Sequence, residues 1–533
     1  ILAIFSAGLS IIGRLYSSRI GEGLILTLRT QVFNHVQAQP IAFFTRTQTG
    51  SLISRVNGDV IGAQQAFTST LSGIISNGIS LIIVLSTMLI LSWQITITSL
   101  LLLPVFLVPA KWMGKRVQAL SREQMTLNAE MSQTMTERFN VSGALLVKLF
   151  GNPINEGNSF FKKASRVKDI GVRIAMTNTV FFVALTTVAT IATAIVYGFG
   201  GSLVVSGVLT LGTLLALTAL LARLYGPLTA LSNVRVDIMT ALVSFERVFE
   251  VLDLEPLVKD SQNPQKLPSG PLDIEFKNVS FSYPTRSEVG LETLELASDG
   301  KTENDKKTLV LSNISFQVKS GSMLALVGPS GSGKTTISQL IARLYDPSEG
   351  KVFVGNVDIK QVTRDEIRNN IGVVTQDSHL FHDSIRNNLL YAKENAFEQE
   401  IWNALESAQI SDFVKALPDK LETIVGDRGY RLSGGEKQRI AIARVFLKQP
   451  RIVILDEATA HLDNENEAAV QAALATVLEN RTSVVIAHRL STIINAQQIA
   501  VVKDGQLIAI GNHATLLNEN GVYADLYNQQ FAN

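Results

Sequence analysis

Met323-Leu324-Ala325-Leu326-Val327 runs directly into Gly328-Pro329-Ser330-Gly331-Ser332-Gly333-Lys334-Thr335-Thr336, and then into a helix-patterned stretch, Ile337 to Leu344. A short apolar strand, a glycine-rich loop and a helix in this order make the phosphate-binding arrangement G-x-x-x-x-G-K-[ST]. The glycines let backbone amides curl around phosphate oxygens, and the helix N-terminus adds a favourable dipole. Lys334 is spaced to reach the β and γ phosphates, and the Thr335 hydroxyl can ligate Mg²⁺. A plain glycine-rich turn is the alternative reading; the strand before it and the helix after it argue against that.

Two more strands carry chemistry at their ends. Arg451 to Leu455 is followed by Asp456-Glu457, and Ser483 to Ala487 is followed by His488. Asp456 suits a Mg²⁺ shell, and Glu457 beside it is placed to polarise a water against the γ-phosphate. A lone histidine is more often structural. Three phosphate-chemistry groups at the carboxyl ends of apolar strands shift His488 towards the site, because ligands of open α/β sheets bind there.

The rest of the chain is a different material. Its 533 residues carry a net charge of +1 and no cysteine, which excludes a disulfide-stapled fold and any cysteine-based zinc or redox site. The small net charge hides a split. Through Glu250 there are 19 basic and 10 acidic residues, leaving 28 basic and 36 acidic for the remainder. Nothing in this balance points to nucleic acid. No charged residue occurs from Val60 to Ala110 or from Ile174 to Ala222. A span needs about 20 apolar residues, so each window is long enough for two. Ser92-Trp93-Gln94 and the Ser206-to-Thr210 segment are the expected turns.

Ile1 to Gly13 is a fifth apolar stretch, too short to cross alone. Because the chain begins at Ile inside this stretch, it reads as a cut-down copy of a longer protein. One further upstream span would make six. The expected spans lie at about 1–13, 60–92, 94–110, 174–205 and 211–231. Arg14, Arg19, Arg29, Arg46 and Arg55 precede the first window, and Lys111, Lys115, Arg116, Lys162, Lys163, Arg166 and Lys168 separate the two. The positive-inside rule puts both segments, and the C-terminal half, in the cytoplasm. Both segments are helix-patterned continuations of the spans. They are broken near Pro40 and Gln48-Thr49-Gly50, and again at Asn140 to Gly151, and their apolar pieces need a partner to bury against.

The domains therefore read as 1–254 in the membrane, a Pro-, Ser- and Asp-rich linker over 255–271, and a soluble domain over 272–533. The fold class is multidomain: an all-α transmembrane bundle followed by an α/β phosphate-loop ATPase. Arg223 lies mid-way along the last expected span. An arginine at that depth usually faces a bundle interior or a water-filled cavity, and could receive an anionic group of a substrate. Snorkelling, or capping a carbonyl freed by Pro227, is the structural alternative.

Leu432-Ser433-Gly434-Gly435-Glu436 decides the class. In this order, between the phosphate loop and Asp456-Glu457, it resembles the signature of ATP-binding-cassette ATPases. The resemblance covers the whole soluble half. It makes Tyr283 the adenine-stacking aromatic, Gln376 the glutamine loop and a further Mg²⁺ ligand, and Asp463 part of the loop after the catalytic glutamate Glu457. It assigns Gly328, Ser330, Gly331, Ser332, Gly333, Lys334, Thr335, Thr336 and Asp456 to ATP and Mg²⁺, and His488 to the catalytic set. Phe43-Phe44, Ser54-Arg55, Gly226-Pro227-Leu228 and Phe245-Glu246-Arg247-Val248 are similar to bacterial exporter-type half-transporters of the multidrug and lipid kind.

The family resemblance implies two such chains meeting head to tail, with Ser433, Gly434 and Gly435 of one completing the ATP site of the other. A homodimer is the simpler expectation, a heterodimer the other. The pieces near Phe43-Phe44 and Ser142 to Val147 would be coupling helices. The implied activity is ATP-driven export of a small amphipathic compound or lipid across the plasma membrane, with the ATPase in the cytoplasm. An importer of the siderophore type, and a peptide exporter with a lost N-terminal accessory domain, are the alternatives. A non-transporting cassette ATPase is opposed by the two charge-free windows. Three departures stand out: Glu436 where glutamine is commonest, Ala460-His461 before Leu462-Asp463, and a Pro284-to-Thr308 segment about twenty residues longer than the loop requires.

Overall fold

The computed structural model describes residues 1–533 apart from 48, 102, 286–287, 289–306, 377, 427–428, 457–463, 488–492, 520 and 531–533. Two compact units emerge. One comprises Ile1–Gln31 with Arg55–Phe249, the other Val32–Ser54 with Glu250–Asn533.

The first unit is helical. α1 (Leu2–Ala38) absorbs the first apolar stretch into a single 37-residue helix. It ends before Pro40, which has no N–H and disfavours helix in the residue preceding it. α2 (Ile41–Arg46) follows. A helical run then begins at α3 (Thr49–Ser54), well before the expected boundary at Val60. It continues through α4 (Val60–Gln65) to α5 (Ser72–Leu91). Two π-helical segments interrupt it, Arg55–Asp59 and Ala66–Leu71, which the apolar pattern does not announce. In the first, buried Arg55 donates through Nη1 to Arg247 O at 2.8 Å, and Asp59 lies 3.6 Å from Arg247. Such widened turns are used where a side chain must be re-aimed.

Ser92 breaks the run with extended backbone and caps the next helix, as the Ser92-Trp93-Gln94 turn requires. The expected span over 94–110 is carried by two helices, α6 (Trp93–Leu100) and α7 (Leu103–Phe139). Pro104 falls in the first turn of α7, where a residue without an N–H is tolerated. α8 (Val141–Phe150) is the short apolar piece, its N-terminus capped by Asn140 Oδ1, which accepts from Gly143 N at 2.7 Å. α9 (Pro153–Val205) and α10 (Leu211–Leu252) complete the unit, joined by the expected turn at Ser206-Gly207. α7 and α9 are cross-linked by Arg166–Glu123 at 2.7 Å, Lys163–Glu130 at 2.9 Å and Arg138–Glu156 at 2.6 Å.

Among the described residues, Arg55–Leu91 and Pro153–Val205 are long and apolar enough to cross a bilayer. Only 11% and 12% of their most apolar windows is buried within the chain. Core helices of a water-soluble protein would be mostly covered; these present their apolar side chains outward, as lipid-facing helices do. A small core does form between α5, α6, α9 and α10, centred on Met88, Ile95, Ala192, Leu217 and Leu221.

The second unit holds two sheets. β1 (Ile274–Ser282), β2 (Leu309–Val318), β4 (Glu349–Val354) and β5 (Val357–Asp358) form an antiparallel sheet ordered β2-β1-β4-β5. The other sheet is ordered β10-β9-β3-β8-β7-β6. It contains β3 (Met323–Val327), β6 (Ile371–Val374), β7 (Ile452–Asp456), β8 (Thr482–Ile486), β9 (Gln498–Lys503) and β10 (Gln506–Gly511). All neighbours are parallel except β10 on β9. The parallel strands are covered on both faces and so read as unbroken apolar runs. In-register pairing of β3 with β8 and of β8 with β7 brings three carboxyl ends side by side.

Candidate functional site

The phosphate loop leaves β3 at Gly328 and enters the helix Lys334–Ile341. Gly331 and Gly333 adopt φ of +78° and +103°, which L side chains rarely take. A Cβ on Gly333 would also lie 2.5 Å from the Leu311 methyl. Both glycines are thus dictated by the shape of the loop. Lys334 Nζ donates to Gly328 O at 2.8 Å and Pro329 O at 2.7 Å, so the ammonium lies against the loop itself. Ser332 Oγ is buried and has no hydrogen-bond partner among the described residues. Burial without a partner costs about 1–3 kcal/mol, and the loop that carries this hydroxyl opens a helix N-terminus, which suits a phosphate oxygen. Thr335 is exposed in the first helical turn, whereas Thr336 is buried.

Tyr283 stands beside this helix. Its hydroxyl lies 2.9 Å from Thr336 Oγ1 and donates to Gln339 Oε1 at 3.1 Å. Its ring packs edge-on against Phe281 and Tyr345, with centroids 5.0 and 5.3 Å apart. The Thr336 hydroxyl is therefore engaged with Tyr283. Tyr283 is fixed next to the loop by a polar tie as well as by packing, which its place at the end of β1 does not reveal.

Asp456 ends β7, and its register partner on β8 is Ile486, two residues before His488. Gln376 follows β6 and is exposed. The carboxyl ends of β3, β8, β7 and β6 thus bring the phosphate loop, Asp456 and the Gln376 segment to one edge. Glu457, Asp463 and His488 lie outside the described residues, as do Ala460-His461 and most of the Pro284–Thr308 segment. Thr335, Asp456 and Gln376 are oxygen donors, and Mg²⁺ in phosphate sites takes only one or two carboxylates, with phosphates and water completing the shell. The donor chemistry fits that ion.

Ser433 is the N-cap of the helix Gly434–Lys448. Its backbone N donates to Glu436 Oε2 at 2.7 Å, while Glu436 N donates to Ser433 Oγ at 3.3 Å. This reciprocal capping box gives the unusual Glu436 a local structural job, pointing its carboxylate back at the chain. Ser433 and Gly434 are exposed at the positive end of the helix dipole.

Two residues of this helix escape sequence reading. Gln438 donates to Thr375 O at 3.3 Å and accepts from Ser378 Oγ at 2.5 Å, which ties the helix to the segment around Gln376. Arg444 donates to Asn388 O at 2.8 Å, His379 O at 2.8 Å and Asn388 Oδ1 at 2.7 Å. Burial pushes its guanidinium below its ordinary value. The only advance signal is that both are polar residues in a helix otherwise rich in buried aliphatics.

A helical membrane unit joined to a phosphate-loop ATPase with a signature helix defines an ATP-driven membrane transporter. The sequence matches the family profile described as "ABC transporter transmembrane region" over residues 1–228 and that described as "ABC transporter" over residues 311–460. It is 36% identical over 512 residues to "ATP-dependent lipid A-core flippase" of Desulfotalea psychrophila, covering 96% of this chain and 85% of that one. It is 34% identical to "Putative multidrug export ATP-binding/permease protein YgaD" of Bacillus subtilis, with 96% and 84% covered. A solved "bacterial Atm1-family ABC exporter with ATP bound" superposes with a TM-score of 0.80 at 28% identity, covering 100% of this chain and 90% of that one. The chain belongs to the ABC transporter family as an exporter-type fusion of membrane and ATPase regions. It is a membrane protein that hydrolyses ATP to drive transport, and the relatives favour export over the importer alternative.

Proposed function

We propose that two copies of this chain assemble into a multi-pass exporter of the plasma membrane that moves an amphipathic compound or lipid outward, with the ATPase units in the cytoplasm. The observation that carries this reading is the capped, solvent-exposed start of the signature helix at Ser433 and Gly434. It is a ready anion site, and a second copy supplies the γ-phosphate it suits. α8 supports the same reading: Leu145, Leu146, Leu149 and Phe150 are 57–82% exposed, an apolar face that a partner would cover.

In this scheme Lys334 and the loop amides hold the phosphates, and Tyr283 stacks on adenine. Thr335, Gln376 and Asp456 hold Mg²⁺, which neutralises phosphate charge when bound. Glu457 takes a proton from the attacking water, and His488 orients the γ-phosphate end. Asp463 lies in the loop between the paired sites. ATP binding favours the closed pair, because the signature amides add donors only in that state.

The lipid and multidrug exporters among the relatives make an amphipathic substrate the natural class. Arg223 deepens this. It is exposed on α10, beside a groove of about 490 Å³ lined by Ala189, Thr190, Thr193, Ala194, Tyr197 and Ala222. Hydroxyls on an otherwise apolar wall, with a cation next in sequence to the lining residue Ala222, suit a phosphate or carboxylate attached to an apolar body.

Composite sites are tested by mixing Lys334→Ala chains, in which the phosphates lose a neutralising charge, with Ser433→Arg chains. Each homodimer should be inactive, whereas the mixed dimer keeps one site built from two good halves and should regain ATP hydrolysis. No hydrolysis in any mixture would count against head-to-tail pairing.

A further inference from the structure

The linker carries one acidic residue whose surroundings exceed what a spacer needs. Asp260 Oδ1 accepts from the backbone N of Arg364 at 2.9 Å and lies 3.5 Å from Arg364 Nε. It also lies 3.8 Å from Nη1 of Arg343. The two arginines come from different parts of the ATPase unit. Arg343 closes the phosphate-loop helix, two residues past its last turn, and takes φ +51° to do so. Arg364 opens the helix Arg364–Asn370, which leads straight into β6 and Gln376. One carboxylate therefore sits between the chain leaving the phosphate loop and the chain arriving at the glutamine loop.

Each arginine grips a further segment. The Arg343 side chain is 1% exposed and donates to Val362 O, to Lys259 O at 2.9 Å and to Asp346 Oδ1 at 3.2 Å. It locks the linker backbone beside Asp260. Arg364 Nη1 donates to Ala38 O at 3.1 Å, the last residue of α1. The next residue, buried Gln39, donates to Leu254 O at 3.0 Å, where α10 gives way to the linker. A continuous path thus runs from the phosphate-loop helix through Arg343, Asp260 and Arg364 to the cytoplasmic end of α1 and the apolar Phe43-Phe44 piece that follows it.

We propose that Asp260 is a positioning residue that couples the nucleotide site to the end of α1. The Asp260–Arg364 pair is exposed on both sides, 39% and 38%, and such a pair contributes little to stability, so stabilisation alone does not account for its placement. Its value is geometric. Buried Arg343 follows any shift of the phosphate-loop helix, and Arg364 transmits that shift to Ala38 only while Asp260 bridges the two. Without the carboxylate, the two arginines repel and the path opens at its middle.

This inference rests on reading the Val32–Arg46 region as the chain's coupling piece, and the test separates the two. Hydrogen exchange of residues 32–46 is measured on the full-length protein in lipid nanodiscs, with and without Mg²⁺ and AMP-PNP. The wild-type chain should gain protection there when nucleotide binds. Asp260→Ala should raise exchange in that segment by about 2- to 30-fold, the range open to mutations along a coupling path, and abolish its response to nucleotide while leaving KM for ATP unchanged. Asp260→Glu should restore the response. Arg364→Ala should reproduce the loss, and the double variant should add nothing to either single. If Asp260→Ala does not fold, half-exposed Arg364→Ala decides alone. An Asp260→Ala chain that responds as the wild type does overturns the proposal. So does an increase in exchange spread evenly over residues 272–533, which marks simple destabilisation. A wild-type segment that ignores nucleotide fails the coupling reading itself, and this inference with it.

Discussion

Replacing Arg444 by alanine should be among the most damaging changes in the ATPase unit that touch no nucleotide contact. The side chain makes three hydrogen bonds, to Asn388 O, His379 O and Asn388 Oδ1, all at 2.7–2.8 Å. Asn388 is 1% exposed and uses its own amide on Phe381 O and Ser384 O at 3.0 Å each. Removing the guanidinium therefore strips partners from the Asn388 carbonyl and side-chain oxygen, which water reaches poorly, and from the more exposed His379 carbonyl. Hydrogen bonds to a charged group contribute about 1.5–3 kcal/mol each, but they are not additive here because two share Asn388. Burial of the charge opposes them, as its lowered pKa records. Together these give a loss of about 2–4 kcal/mol, less than three independent charged bonds would. At roughly 2–4 °C per kcal/mol for a domain of this size, the ATPase transition should fall by about 4–16 °C in a calorimetric scan of the full-length protein. Arg444→Lys keeps the charge but not the fork and should fall between. A shift of under about 2 °C for Arg444→Ala would refute the reasoning, since the network would then be worth no more than a surface pair.

Glu457→Gln should bind ATP normally and lose nearly all turnover; ordinary hydrolysis with Mg²⁺-ATP would remove Glu457 from the base role. Glu436→Gln keeps the capping box and should leave stability unchanged, while Glu436→Ala should cost about 1 kcal/mol by chemical denaturation. Tyr283→Phe retains the ring but loses the tie to Thr336 and Gln339, so ATP affinity should fall less than for Tyr283→Ala, where roughly 1–3 kcal/mol of stacking is lost; equal binding by all three would move adenine elsewhere. Arg223→Gln should preserve folding and basal hydrolysis but reduce stimulation by anionic lipids and not by cationic drugs, and equal loss for both would mark a structural arginine.

What the sequence announces is what local rules govern. The strand, glycine loop and helix around Lys334 are contiguous, so their chemistry is visible in one reading. Ser92 and Asn140 mark helix starts by the same local logic. Pro104, in the first turn of α7, obeys an equally local rule. The rest depends on residues far apart. Nothing near Arg444 indicates that Asn388 will meet it. The apolar piece within Val32–Ser54 does signal that it needs a partner, and it groups with Glu250–Asn533, though which residues receive it is not legible. The π-helical segments are invisible for a related reason. Neither Arg55–Asp59 nor Ala66–Leu71 carries a residue pattern that separates a wide turn from an ordinary one, and the first meets a partner, Arg247, from another helix.

The bond from Arg364 to Ala38 joins residues 326 positions apart, and this has a meaning for how the protein is made. At ordinary rates of synthesis, roughly 15–65 s separate the emergence of the two ends. Throughout that interval the Val32–Ser54 piece, Phe43 included, has left the ribosome while the surface that receives it does not yet exist. Membrane helices can settle as they are delivered, but this tie forms only when Arg364 arrives and captures a segment made near the beginning. Slow codons, a chaperone resident on the nascent chain, or cold shock should therefore act on this one late docking event more than on any individual helix.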